Sequence, residues 1–432
     1  MKKMRLTQPP MGWNSWDCYG AAVNEEQLRG NAEYMAKYLK NFGWEYVVCD
    51  IQWYEPTANS NCYHNFADLE MDEYSRLIPA VNRFPSAAHG KGFGPIADYC
   101  HSLGLKFGIH IMRGIPRQAV HRNTAILGSD KTAREIAHPF SVCSWNTDMY
   151  GVDPHRSGAQ EYYNSLFELY ASWGVDFVKC DDIADTKFKP HDPYSAREEI
   201  ELIRNALNSC GRDMVLSLSP GPAPVSEAEH LRKNADMWRM TDDFWDDWEK
   251  LHDMFSRCRA WQPYVGEGSW PDCDMLPLGR LCVNAAYCGE KGRYTNLTRP
   301  EQITMMTLWS IFRSPLFIGG ELRDNDEFTL SLLTNREVIG MYKISHGAHE
   351  LYRREGDTGG EIAWLSHGDG CEYLALFNTV DEQRELTFRF EGVFPHGKEK
   401  QFHELWSGER FTASGGFETE IPPHGAKLFR VV

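Results

Sequence analysis

What most constrains this chain is a repeated unit: a helical apolar pattern, a glycine that stops it, then a short β-branched or aromatic run closing on a polar residue. From Asn24 to Phe42 the set Leu28, Ala32, Met35, Leu39 and Phe42 recurs at helical spacing, Gly43 ends it, and WEYVVCD up to Asp50 reads as a buried strand. Pro95 to Leu103, then Gly104, precede the strand LKFGIH, which closes on His110. Tyr162 to Trp173, then Gly174, precede VDFVKCD, which closes on Asp181. Ser195 and Glu198 pattern as a capping box for a helix to Leu207, followed by the strand DMVLSLS and Ser219. Thr298, Pro300 and Glu301 open a last amphipathic helix through Phe312.

Repeating βα units demand parallel strands covered by helices. A closed eight-stranded barrel needs about 250 residues and puts its reactive groups at the C-terminal strand ends, where the βα loops form an open mouth. The polar closures Asp50, His110, Asp181 and Ser219 match that layout. The reading is α/β, a (β/α)8 TIM barrel over residues 1–345, with the long 111–158 connection covering the mouth. After His346 the pattern changes to alternating runs such as IAWLSH, YLALFN and AKLFRVV between turn residues, which predicts an all-β C-terminal domain over 346–432.

Composition narrows the partners. A net charge of -16 repels both a phosphate backbone and an anionic membrane surface, so neither nucleic acid nor membrane is expected. MKKMRLTQPP has a basic start without the apolar run of a secretory signal, and the twelve cysteines show no CxxC pairing, which points to reduced thiols and a cytoplasmic location. No cofactor or metal is implied, and a homo-oligomer is left open.

Three segments carry chemistry. KCDD puts Lys179 two residues before Asp181 at a strand end, on the same side, where the lysine either keeps a nucleophilic carboxylate ionised or forms a structural ion pair. WRMTDDFWDDW supplies Arg239 and Asp243, while Asp246 and Asp247 fit the start of a helix. GSWPDCDML spaces Asp272 and Asp274 by two, which on a strand presents both to one face, for sugar hydroxyls or a divalent cation. In MGWNSWDCYG the indole of Trp16 suits the apolar face of a sugar ring or a core position.

Together PPMGWNSW, GWEYVVCDIQW, GLKFGIH, WGVDFVKCDD, WRMTDD and SWPDCDML follow in the order found in glycoside hydrolase family 27, the melibiase group, and the chain resembles that family from residue 9 to about 345. The resemblance implies a (β/α)8 barrel followed by an antiparallel β-sandwich and a carbohydrate substrate. It also implies retaining hydrolysis of terminal α-galactosides or α-N-acetylgalactosaminides without metal. By position, Asp181 matches the family nucleophile and Asp243 the general acid/base. Lys179 and Arg239 would contact sugar hydroxyls, Trp16 and Asp50 would line the terminal-sugar pocket, and Asp272 would be the sugar contact of its pair.

The departures bear on specificity. Ile51 stands where the family usually has a second acid, and His110 replaces a tyrosine and would face the pocket. Ser219 stands where galactosidases have Glu and N-acetylgalactosaminidases have Ser, although PGPA alters the loop that follows. The long connection offers Arg113, Trp145 or Asp153 to the pocket. A β-L-arabinopyranosidase or an α-glucan-acting relative is the alternative. Behind these stand a metal-dependent hydrolase using His110, Asp181, Asp243 and Asp272, and a sugar-binding protein without catalysis.

Overall fold

The computed structural model describes residues 6–60, 62–183, 194–219, 221–284, 292–354, 356, 360–394 and 398–432. The basic start at residues 1–5, Pro220 of the PGPA loop and Cys288 lie outside the described residues; the other eleven cysteines are unbridged.

Eight parallel strands form the first unit: β1 (Met11–Asn14), β2 (Tyr46–Cys49), β3 (Lys106–Met112), β4 (Phe177–Asp181), β5 (Val215–Leu218), β6 (Met237–Arg239), β7 (Trp270–Asp272) and β8 (Leu316–Ile318). They are ordered β7-β6-β5-β4-β3-β2-β1-β8, and a parallel bridge between Leu276 and Ile318 closes the two edges into a barrel. Side chains alternate about each strand. Tyr46, Val48, Phe177, Val215, Met237, Trp270 and Phe317 fill the interior, whereas Val47, Cys49, Val178 and Cys180 pack outward toward the helices. The parity of Phe177 therefore carries Lys179 and Asp181 inward as well.

The helices that matter for the packing are α1 (Glu25–Tyr34), α2 (Gly94–Ser102), α3 (Ala159–Ser172), α4 (Arg197–Ser209), α5 (Ala228–Asn234), α6 (Trp248–Trp261), α7 (Arg299–Phe312) and α8 (Arg336–Ile344). Asn24 and Gln27 form a capping box at the start of α1, as do Thr298 and Glu301 at α7, and Asp247 caps α6 through the amides of Glu249 and Lys250. After α1 the chain stays helical but widens into a π-turn over Met35–Leu39, and Gly43 at φ 106° then stops it. Two expectations fail. No side chain caps α4, whose N-cap is Ala196, so the Ser195–Glu198 box does not form. β3 does not end at His110 but runs two residues further, because Ile111 and Met112 continue the ladder with Cys180 and Asp181.

The second unit is antiparallel. Its strands are β9 (His346–Arg354), β10 (Glu361–Gly368), β11 (Cys371–Asn378), β12 (Arg384–Arg389), β13 (Glu399–Glu404), β14 (Arg410–Ser414), β15 (Gly416–Ile421) and β16 (Ala426–Val431). A six-stranded sheet, β9-β10-β11-β16-β13-β14, faces the pair β12-β15 across a phenylalanine-rich core. The other face of the large sheet packs on the barrel. Phe312 meets Trp364 edge-on, Phe255 meets Phe377 at 4.8 Å, and His424 stacks on Trp248 at 3.7 Å and 7°. Helix α7 is enclosed on both sides and is buried over nearly its whole length.

Candidate active site

The mouth of the barrel holds a cavity of about 190 Å³ lined by Trp16, Asp17, Asp50, Ile51, Tyr63, Trp145, Lys179, Asp181, Ser219, Arg239, Asp242, Asp243, Phe244, Trp245, Asp274 and Met275.

At the end of β2, Asp50 accepts hydrogen bonds from Lys179 Nζ at 2.9 Å and Asn14 Nδ2 at 2.7 Å, and its own amide is held by Ser15 Oγ. Burial alone would raise its pKa, but the Lys179 ammonium, His110 and the donated hydrogen bonds outweigh it and bring the carboxyl down to about 2. The hydrogen bond of Lys179 therefore goes to Asp50, with Asp181 acting on it as a nearby charge. Burial disfavours charge on the lysine, and Asp50 and Asp181 override that to raise its pKa. Asp50 wins the contact because β2 and β4 flank β3, bringing the end of β2 within reach.

Asp181 takes its partners elsewhere. His110 Nε2 lies 2.8 Å from Oδ2, and the amide of Asp182 donates to Oδ1 at 2.7 Å. His110 is fully buried and does not line the cavity, so it does not face a sugar as expected; in β3 it is in register with Lys179 and sits behind Asp181. Asp182 has φ 60°, a conformation non-glycine residues seldom adopt. Arg113 braces it: Nε donates to the Asp182 carbonyl at 2.6 Å, and the guanidinium pairs with Asp182 and Glu199.

On the opposite wall Arg239 is shared by two acids, Asp274 at 2.9 Å and Asp243 at 2.8 Å. Burial opposes its charge, but these carboxylates raise its pKa further. Asp243 is half-exposed at the rim; lost hydration works against its charge, and Arg239 beside it prevails, holding the carboxyl below its ordinary range.

The Asp272–Asp274 pair corrects the sequence reading. β7 ends at Asp272, and the chain then turns, with Asp274 at φ 76° and its amide donating to Asp272 Oδ1. Both acids line a void of about 20 Å³ inside the barrel, and after the turn Asp274 also reaches the cavity wall, which Asp272 does not. Burial, and then Asp274, push Asp272 up to about 7.

Two long excursions build the rim. Of the residues offered by the 111–158 connection, Trp145 reaches the cavity, Arg113 lies under Asp182, and Asp153 pairs with Arg156 at the surface. Tyr63, from the loop after β2, stacks on Trp16 at 6.0 Å and meets Trp145 at 5.4 Å. Asp148 locks the excursions together by accepting from Gln52 at 2.6 Å and Tyr54 at 2.9 Å. Sequence reasoning missed Tyr63 and Trp245 as lining residues. Among the described residues no group of three or more His, Cys, Asp or Glu side chains is arranged to hold a metal ion.

Comparison with known proteins agrees with this geometry. Residues 152–343 match the family model described as alpha galactosidase A, and residues 361–431 match that of the alpha galactosidase C-terminal beta sandwich domain. The structure of a family 27 β-L-arabinopyranosidase from Geobacillus stearothermophilus is 56% identical, with a TM-score of 0.94 over 98% of this chain and 96% of that one. A Bacillus halodurans C-125 structure bearing a provisional α-N-acetylgalactosaminidase name is 52% identical, with a TM-score of 0.88 over 99% of both chains. The rice α-galactosidase is 24% identical over 423 residues, which cover 98% of this chain and 84% of that one. The chain belongs to glycoside hydrolase family 27.

Proposed function

We propose that this glycoside hydrolase is a retaining exo-acting β-L-arabinopyranosidase. The observation that carries the reading is Ile51, 2% exposed and set in the cavity wall beside Asp50. A β-L-arabinopyranoside has the hydroxyl configuration of an α-D-galactopyranoside but lacks its hydroxymethyl group. An apolar wall that offers that group no hydrogen bond favours the smaller sugar, because a buried hydroxyl without a partner is costly. The likeness to the Geobacillus enzyme supports the same choice.

In this reading Asp181 attacks the anomeric carbon while Asp243 gives its proton to the departing oxygen; Asp243 then takes a proton from water, which attacks the glycosyl ester and restores Asp181. His110 steadies the nucleophile, and Asp50, Lys179, Arg239 and Asp274 hold the hydroxyls. The small cavity suits one terminal sugar. A second reading, α-N-acetylgalactosaminidase, has one observation in its favour: Ser219 lines the cavity, and its buried Oγ has no hydrogen-bond partner among the described residues.

The test is hydrolysis of nitrophenyl β-L-arabinopyranoside, α-galactopyranoside and α-N-acetylgalactosaminide side by side, with the released anomer followed by proton NMR. Preference for the arabinoside with β product first supports the proposal. Preference for the acetamido sugar overturns it in favour of Ser219, and initial inversion overturns the mechanism.

A further inference from the structure

Behind the end of β4 lies a network built on Arg113, Asp182 and Glu199, all three buried and none of them lining the cavity. Arg113 follows β3 directly, and its backbone amide donates to the Asp181 carbonyl at 3.1 Å. That carbonyl and the amide of Asp182 belong to one planar peptide and point in opposite directions, so fixing the first aims the second. The amide so aimed is the one that donates to Asp181 Oδ1 at 2.7 Å.

The next rotation, about the N–Cα bond of Asp182, is held by the side chain of Arg113. At φ 60° the Asp182 carbonyl points where a residue with a side chain seldom turns it; Nε donates to it there at 2.6 Å, and the guanidinium pairs with Asp182 Oδ2 at 3.1 Å. The guanidinium is anchored in turn. Its Nη1 donates to Glu199 Oε1 and to Ser141 Oγ, both at 2.9 Å. Glu199 Oε2 accepts from the Tyr163 hydroxyl at 2.6 Å and from the Val152 amide at 3.1 Å. Ser141 and Val152 belong to the 111–158 connection, Tyr163 to α3 and Glu199 to α4, so the turn is fixed from all of these together.

A carboxylate that turns freely presents its lone pairs to a reacting carbon only part of the time, and small errors of placement are costly. His110 holds Oδ2 of Asp181 and the Asp182 amide holds Oδ1. We propose that Arg113 is a positioning residue for Asp181, acting on it through the Asp182 turn without touching the sugar. This rests on Asp181 being the nucleophile, as proposed above, but not on which sugar the cavity takes.

The experiment uses Arg113→Lys, which keeps a cation between Asp182 and Glu199 but has no Nε for the Asp182 carbonyl. On whichever dinitrophenyl glycoside the wild-type enzyme cleaves fastest, kcat/KM should fall about tenfold or more, while the inhibition constant of the free product sugar stays within about twofold. The same substitution is then made in Asp181→Gly with added azide, which attacks the anomeric carbon as the dinitrophenolate leaves with the bonding pair, giving a glycosyl azide of inverted configuration. With no carboxylate left to aim, Arg113→Lys should change this azide-dependent rate by less than about twofold. Equal losses in the two backgrounds, or product-sugar binding weakened in step with kcat/KM, would mean that Arg113 acts through the fold at large and would overturn the proposal, as would an unchanged kcat/KM. Should Arg113→Lys not fold, Glu199→Gln, which loosens the anchor of the guanidinium and keeps the shape of Glu199, is read in the same way. A wrong nucleophile shows separately, because Asp181→Gly then yields no glycosyl azide.

Discussion

His110 Nε2 lies 2.8 Å from Asp181 Oδ2, with the imidazole fully buried and its Nδ1 without a partner. Facing a carboxylate, Nε2 carries the hydrogen, so the ring orients the lone pairs of the proposed nucleophile without touching the cavity. A charge-assisted hydrogen bond of this kind is worth about 1.5–3 kcal/mol. His110→Phe should therefore lower kcat about 10- to 100-fold with KM little changed, whereas His110→Tyr, which returns an O–H donor, should recover much of the loss. Steady-state kinetics beside melting curves check this; a rise in KM alone would contradict it.

The two proposed catalytic carboxyls make separable predictions. Asp181→Asn should abolish turnover of every glycoside. Asp243→Asn should cost about 10²- to 10⁴-fold on natural glycosides but far less on a dinitrophenyl glycoside, whose leaving group needs little protonation. Uniform loss across leaving groups would remove Asp243 from the acid role.

Arg239 gives that acid a pH signature. Because the guanidinium holds Asp243 below its ordinary range, the protonated form is lost at lower pH than for a free aspartate. The alkaline limb of kcat/KM on a poor leaving group should lie on the acid side and should flatten with a dinitrophenyl leaving group. A limb unchanged between the two substrates would tie the pH dependence to another group.

Ile51→Asp tests the apolar wall. A carboxylate there offers a hydroxymethyl group a partner, so the ratio of galactoside to arabinoside turnover should rise about tenfold or more, a shift of ~1.4 kcal/mol. Some stability should be lost, because the new charge is buried next to Asp50.

Asp272 should show in stability rather than in turnover. Its folded pKa of about 7 lies above the unfolded value near 3.8, so the folded state holds the extra proton between these limits and stability falls as pH rises through that window. Asp272→Asn, which keeps the oxygen that accepts the Asp274 amide, removes this slope. The variant should melt near the wild-type temperature at pH 4 and higher at pH 8, by at most about 4 kcal/mol for a shift of about three units. Equal melting curves at pH 8 would show that the carboxyl is not strained.

The alternating pattern made the barrel legible, because Gly43, Gly104 and Gly174 stop helices just before short apolar strand runs. Strand parity likewise made Lys179 and Asp181 legible as neighbours on one face. It does not choose within the Asp272–Asp274 pair: the resemblance favoured Asp272, while the turn after β7 sets Asp274 in the cavity wall. Parity also cannot rank depth, which is why His110 faces inward yet stays behind Asp181 rather than in the cavity. Tyr63 and Trp145 come from excursions with no periodicity, and only the folded chain brings them to 5.4 Å.

Helix α7, enclosed by the barrel on one side and the large antiparallel sheet on the other, leads to a conclusion about inheritance. Its buried face continues into Phe312 and Trp364, and the stack of His424 on Trp248 anchors the sheet to the helix that follows Asp243. The strands on either side of α7 precede Asp274, in the cavity wall, and Gly319, whose missing side chain leaves room for the carboxyl of Asp17, another lining residue. The sheet contributes no atom to the cavity, yet a lineage that discarded it would leave an apolar helix facing water above the chemistry. Barrel and sheet are therefore expected to melt in one transition and to be passed on as one gene segment, each tolerating substitutions only as far as the other remains covered.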